Sequence, residues 1–157
     1  MRQVKSPVQI VIICVFTIVL GTVLVAGSDG RTSVEPRQAT VVIHITSGPD
    51  QILAIERAYE MARGAILEGR RVVLFFGQAG TQVAVRRFPP ELRIDQAPPQ
   101  WQQLKKLVEL GARPVVCGES AHLFGIRDAE FIPESEITNN DRAIFRISGP
   151  NATVWTF

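Results

Sequence analysis

Arg113-Pro-Val-Val-Cys117-Gly-Glu-Ser-Ala-His-Leu-Phe-Gly-Ile126 is the stretch on which the fold turns. Val115, Val116 and Cys117 form a short apolar run, as a strand buried on both faces of a parallel sheet does. Gly118 breaks the run. Glu119 to Phe124 then read as a short helix with Glu119 or Ser120 near its start. Strand, turn and helix in that order place Cys117 at the carboxyl end of a strand and beside a helix N-terminus. Ligands and chemistry gather at that edge in open α/β sheets. A helix N-terminus also favours the thiolate, the reactive form of cysteine. Two readings of Cys117 stand at this point: a reactive thiol, or a small buried hydrophobe.

Upstream, Pro98-Pro99 opens a helix from about Gln100 to Leu110, with Trp101, Leu104, Leu107 and Val108 inward and Gly111 as terminator. Before it, Thr40–Thr46 and Val72–Phe76 are β-branched and apolar runs that read as buried strands. Between them Ile52, Ile55, Tyr59, Ala62 and Ile66 recur at three or four residues, the inward stripe of a helix from about Gln51 to Glu68. Gly69 is placed to end it. Gly77–Ala84 reads as a flexible strand-to-helix loop. Its two glycines are a weak anion-cradle signal that matches neither of the usual phosphate-binding fingerprints. Val85–Gln96 mixes charges and prolines, and holds either a short extra strand or an irregular excursion. Downstream, Arg127–Glu136 is loop-like, with Phe131-Ile132 able to pair briefly. Thr138–Asp141 resembles a cap for a helix over Arg142–Ser148, although the β-branched content leaves a strand open. Ala152–Phe157 closes as a strand. Strands alternating with helices imply a three-layer α/β fold with a mostly parallel sheet.

The chain has 157 residues, enough for one domain with its own core, and a formal charge of +2 gives no field that draws nucleic acid. Val8 to Gly27 runs without a charge, behind Arg2 and Lys5. About twenty such residues span a hydrocarbon core as a helix. The basic residues on the near side orient the N-terminus to the cytoplasm and export the rest. Residues 1–27 are therefore expected to be one transmembrane or signal helix. An uncleaved anchor fits the length better than a cleaved signal peptide, whose site would be the mediocre Val25-Ala26-Gly27. Residues 28–39 are polar and aperiodic, a linker, and residues 40–157 form the folded domain. Cys14, inside the apolar block, reads as filler. Two cysteines this far apart support neither a disulfide framework nor a zinc site. His44, in mid-strand, reads as a buried histidine rather than a metal ligand.

Ile45-Thr-Ser-Gly-Pro-Asp50 after a first strand, Val72-Val-Leu-Phe-Phe-Gly77, Gly111-x-x-Pro-Val-Val-Cys117 followed by Gly125-Ile126, and the closing Val154-Trp-Thr-Phe157 resemble the DsrE/DsrF/TusD-like sulfur-relay family. The resemblance runs from roughly Thr40 to Phe157. It implies a compact α/β fold that assembles as a homo-oligomer, a trimer or hexamer. It also implies a persulfide held on Cys117, with a thiol or persulfide partner protein and no metal or cofactor. Ser120 and His122, just beyond the cysteine, are the nearest groups to support it. The combined expectation is a sulfur carrier, anchored through residues 8–27 on the periplasmic side or secreted there after cleavage. Two other classes compete with it: a non-catalytic binding or assembly module of the same fold, and a small-ligand binder at Gly77–Gly80.

Overall fold

The computed structural model describes residues 39–86, 94, 97–139 and 143–157. The expected anchor or signal segment at residues 8–27 lies outside these, as does most of the expected linker. Among the described residues no helix is long and apolar enough to cross a membrane.

Among the described residues the sheet has five strands: β1 (Thr40–Ile45), β2 (Arg71–Phe76), β3 (Arg113–Cys117), β4 (Glu136–Thr138) and β5 (Ala152–Thr156). Their order is β4-β3-β2-β1-β5 and every pairing is parallel. Parallel neighbours need crossovers, which helices supply. Helix α1 (Ile52–Leu67) joins β1 to β2 and α2 (Gln100–Glu109) leads into β3. Helix α3 (Gly118–Leu123) leaves β3, and α4 (Ala143–Ser148) lies between β4 and β5. Helix α1 ends at Gly69 (φ 73°) and α2 at Gly111 (φ 101°). At each end the two following amides turn back to the last helical carbonyls, as Ala112 N does to Leu107 O at 2.9 Å.

Alternate side chains of a strand point to opposite faces. Val41, Ile43, Ile45, Leu74, Phe76 and Val116 face the helices α1, α2 and α3 and form the larger core with Ile55, Tyr59, Leu104, Leu107 and Ala121. Val42, Val73, Phe75, Val115 and Cys117 face the other way, where Ile144 and Ile147 of α4 pack on them. Three layers and a parallel sheet are as expected. Among the described residues the two covers are unequal, three helices against one short one.

Three details depart from the sequence reading, and two that it left open are resolved. Trp101 is 36% exposed, while Gln100 and Gln103 turn inward. Both amides donate to Oε1 of Glu56 on α1, Gln103 at 2.7 Å, and Gln103 also donates to Pro98 O at 2.9 Å. A polar anchor therefore sets the rotation of α2, which apolar periodicity does not register. Residues 78–84 are not a loose loop but a 3-10 segment with Gly80, Thr81, Val83 and Ala84 buried. The stretch expected to be a loop ends in β4, and Arg142–Ser148 resolves as helix rather than strand from Ala143 onward. Phe131 does pair briefly, antiparallel with Val85.

Tyr59 is 1% exposed, and its hydroxyl has no hydrogen-bond partner among the described residues. Burial, and secondarily the Glu56 carboxylate, hold the phenol protonated well above its ordinary range. An unfolded chain ionises tyrosine near pH 10, so this contribution to stability is intact below about pH 10 and is lost as pH rises beyond it. Tyr59→Phe is expected to be neutral or stabilising by on the order of 1 kcal/mol at neutral pH, because it removes an unmet polar group. Between pH 9 and 11 its margin over the parent should widen by about 1.4 kcal/mol. Urea unfolding of both chains across that range checks this. A clear loss of stability at neutral pH would show that the hydroxyl is bonded.

Candidate functional site at the carboxyl end of β3

Strand β3 ends at Cys117, which is also the residue capping α3. The strand-turn-helix order expected from the sequence is present. Cys117 lies level with Thr138 of β4, whose hydroxyl donates to Val116 O at 3.3 Å. The chain turns into α3 at Gly118 because nothing larger fits. A Cβ there would stand 2.6 Å from Thr138 O.

The sulfur is not at the surface. Cys117 is 0% exposed, against the partial exposure that a relay thiol calls for. Period-two alternation turns its side chain into the small core on the α4 face. Helix α3 instead packs on the opposite face through Ala121. The two residues expected to support the thiol are thus on a helix that its side chain points away from. Ser120 has a different job: its hydroxyl accepts the Gln78 N–H at 3.0 Å and fastens α3 to the turn after β2. Gln78 itself takes a left-handed backbone (φ 49°), and Thr81 donates to its carbonyl at 2.9 Å. His122 and Glu119 are exposed.

The glycine pair after β2 is not an anion cradle. Gly80 N–H donates to Thr46 O at 3.1 Å and Gly77 O at 2.9 Å, and Gly77 N–H donates to Ile45 O at 3.0 Å. Those amides are spent on holding the 3-10 segment against β1. Among the described residues no three His, Cys, Asp or Glu side chains converge as metal ligands.

Sequence reading took His44 as a buried histidine and gave it no role at the site; it is in fact only partly buried. Strand parity puts it on the same face as Val42, and therefore on the same face as Cys117. Its ring is tilted against Phe75, with centroids 5.2 Å apart. The parity of His44 is visible in β1 alone. That it shares a face with a residue two strands away depends on strand order and register, which a single sequence does not carry. An open groove of about 430 Å³ lies on this face too, bordered by Arg113, Glu136, Thr138, Arg146 and Ile147. Arg113 is paired with Glu136.

These features can be set beside known proteins. Among curated sequences none matches. Several solved structures share the fold, two of them as follows. A protein of unknown function from Methanobacterium thermoautotrophicum, MTH1491, superposes with a TM-score of 0.61 at 16% identity, over 76% of this chain and 100% of its own. The ychN protein from E. coli does so with the same score and identity, over 76% of this chain and 99% of its own. At that identity the likeness speaks for the fold alone. The model of the DsrE/DsrF-like family, however, matches residues 39–151, most of the chain and all of the sheet but its last strand. On that match, the chain belongs to the DsrE/DsrF-like family.

Proposed function

We propose that this protein carries sulfane sulfur as a persulfide on Cys117, in a domain held outside the cytoplasmic membrane by residues 8–27. The observation that carries the reading is the position of Cys117. It closes β3 and opens α3 at the carboxyl edge of a parallel sheet, in a family associated with sulfur relay. The chemistry needs no metal. The Cys117 thiolate attacks the outer sulfur of a donor persulfide, R–S–SH. A new S–S bond forms to Cys117 as the donor's S–S bond breaks, and the donor leaves as a thiolate that takes up a proton. An acceptor thiolate reverses the exchange, with no net oxidation. Assembly as a homo-oligomer, a trimer or hexamer, belongs to the same proposal. Support for it comes from β5, an edge strand whose Val154 and Trp155 are 45% and 36% exposed on opposite faces.

Burial of the sulfur favours a second reading, a non-catalytic assembly module in which Cys117 is only packed. Local opening separates the two. Helix α4 holds its face with two partly buried isoleucines, Ile144 and Ile147. Each contributes on the order of 1–2 kcal/mol. Lifting α4 therefore costs far less than global unfolding at roughly 5–15 kcal/mol.

Two outcomes are expected. Inorganic polysulfide should add the mass of one sulfur to the Cys117-containing peptide of the folded full chain, removable by a thiol reductant, and should add none to that peptide in Cys117→Ser. If wild type and variant behave alike, the assembly-module reading holds instead. A reporter fused after Phe157 should be active only outside the cytoplasm, given Arg2 and Lys5 ahead of the apolar block. Activity inside would contradict the topology.

A further inference from the structure

We propose that His44 is the positioning and proton-handling partner of Cys117, facing it across a notch left by Gly77. The inference rests on the persulfide reading of Cys117 and adds a residue to it. Phe76 is registered with Val116, so Gly77 and Cys117 are the next residues along two adjacent strands. Gly77 lies on the same face as Cys117. A Cβ built on it would meet His44 Nε2 at 2.8 Å and Phe75 Cε1 at 3.6 Å, and both rings belong to that face. The imidazole thus occupies the space above Gly77 that any other residue would fill with its own side chain. Neighbouring strands are about 4.8 Å apart, so the edge of the ring and the Cys117 side chain are separated by little more than one strand. One water molecule, or one sulfur atom added to Cys117, spans such a gap. Phe75, level with His44 on the next strand, sets its ring beside the imidazole.

Exposure completes the argument. Cys117 has no accessible surface and Gly77 is buried, but His44 is partly exposed. A buried thiol must pass its proton somewhere before it can attack. The imidazole, reached directly or through one water, accepts that proton and leaves a thiolate and an imidazolium. When the donor persulfide breaks, the imidazolium returns the proton to the departing thiolate. Cys–SH and R–S–SH thereby become Cys–S–SH and R–SH, with every proton accounted for. Few other charged groups face this layer. Arg71 of β2 and Arg113 of β3 sit at the amino ends of their strands, Glu136 of β4 is paired with Arg113, and Arg146 is on α4. The strands β1 and β5 add no other, and Glu119 and His122 of α3 are exposed beyond the edge. Among the described residues on this face, His44 is the only histidine.

The test is the pH profile of Cys117 alkylation by a small neutral reagent, on the full chain in detergent, for wild type, His44→Gln and Gly77→Ala. His44→Gln should slow the reaction at neutral pH by about 100-fold, with the deficit vanishing at alkaline pH where the thiol ionises unaided. Gly77→Ala should reproduce that profile, because the new methyl group displaces the ring. A loss that is the same at every pH, or no loss, overturns the proposal. Should a variant fail to fold, imidazole NMR of wild type and Cys117→Ser decides. The chain has two histidines, and exposed His122 serves as the internal reference. Removing the thiol should move the His44 titration and leave His122 in place, and an unmoved His44 overturns the pairing. Polysulfide loading is read separately. Normal loading in His44→Gln with a flat pH profile refutes the role of His44 while leaving the carrier reading intact. A pH-linked alkylation profile without loading in wild type refutes the carrier reading alone.

Discussion

Burial of both faces of a parallel sheet is the constraint on which the rest of the structure depends. It makes β1, β2 and β3 apolar at nearly every position, since neither face is left to water. It also demands a cover on each side, and this chain supplies two of very different weight. Helices α1, α2 and α3 close one face over Ile43, Leu74 and Phe76. The six-residue α4 closes the other, through Ile144 and Ile147. Cys117 sits under the lighter cover. A sulfur carrier must hide a labile persulfide from solvent and still present it to a partner. A thin lid meets both needs in a way that a thick one does not.

The carboxyl edge of the sheet is built from close backbone approaches rather than from loops. Gly118 passes beneath Thr138 O, and the amides of Gly77 and Gly80 are tied to the end of β1. Ser120 links α3 to the turn after β2. These contacts fasten the edge at which Cys117 lies, and the face that carries Cys117 and His44 is covered, among the described helices, by α4.

Much of the fold was legible in the sequence. Apolar runs such as Val72–Phe76 announce two-sided burial, and the stripe from Ile52 to Ile66 announces α1. Gly69 and Gly111 end their helices as expected. What was not legible has physical reasons. The inward turn of Gln100 and Gln103 depends on Glu56, more than forty residues away, so local periodicity assigned Trp101 to the core instead. Strand β4 has three residues and only one clear apolar member, Ile137, too little for a period-two signal. For the candidate site, Cys117 was nominated from its position at a strand end, and the structure places it there. Its orientation was not found, because the helix that follows it in sequence lies on the face its side chain avoids. Sequence proximity therefore nominated Ser120 and His122, whereas strand register brings forward His44.

Membership in the DsrE/DsrF-like family and a buried cysteine are both facts about this chain, and only one measurement joins them to function. That measurement is the intact mass of the full protein isolated from its native source without reductant, followed by peptide mapping. The expected result is a fraction carrying one extra sulfur on the peptide that contains Cys117, lost on treatment with a thiol. An unmodified Cys117 in protein taken from cells with an ample supply of sulfane sulfur would contradict the carrier role.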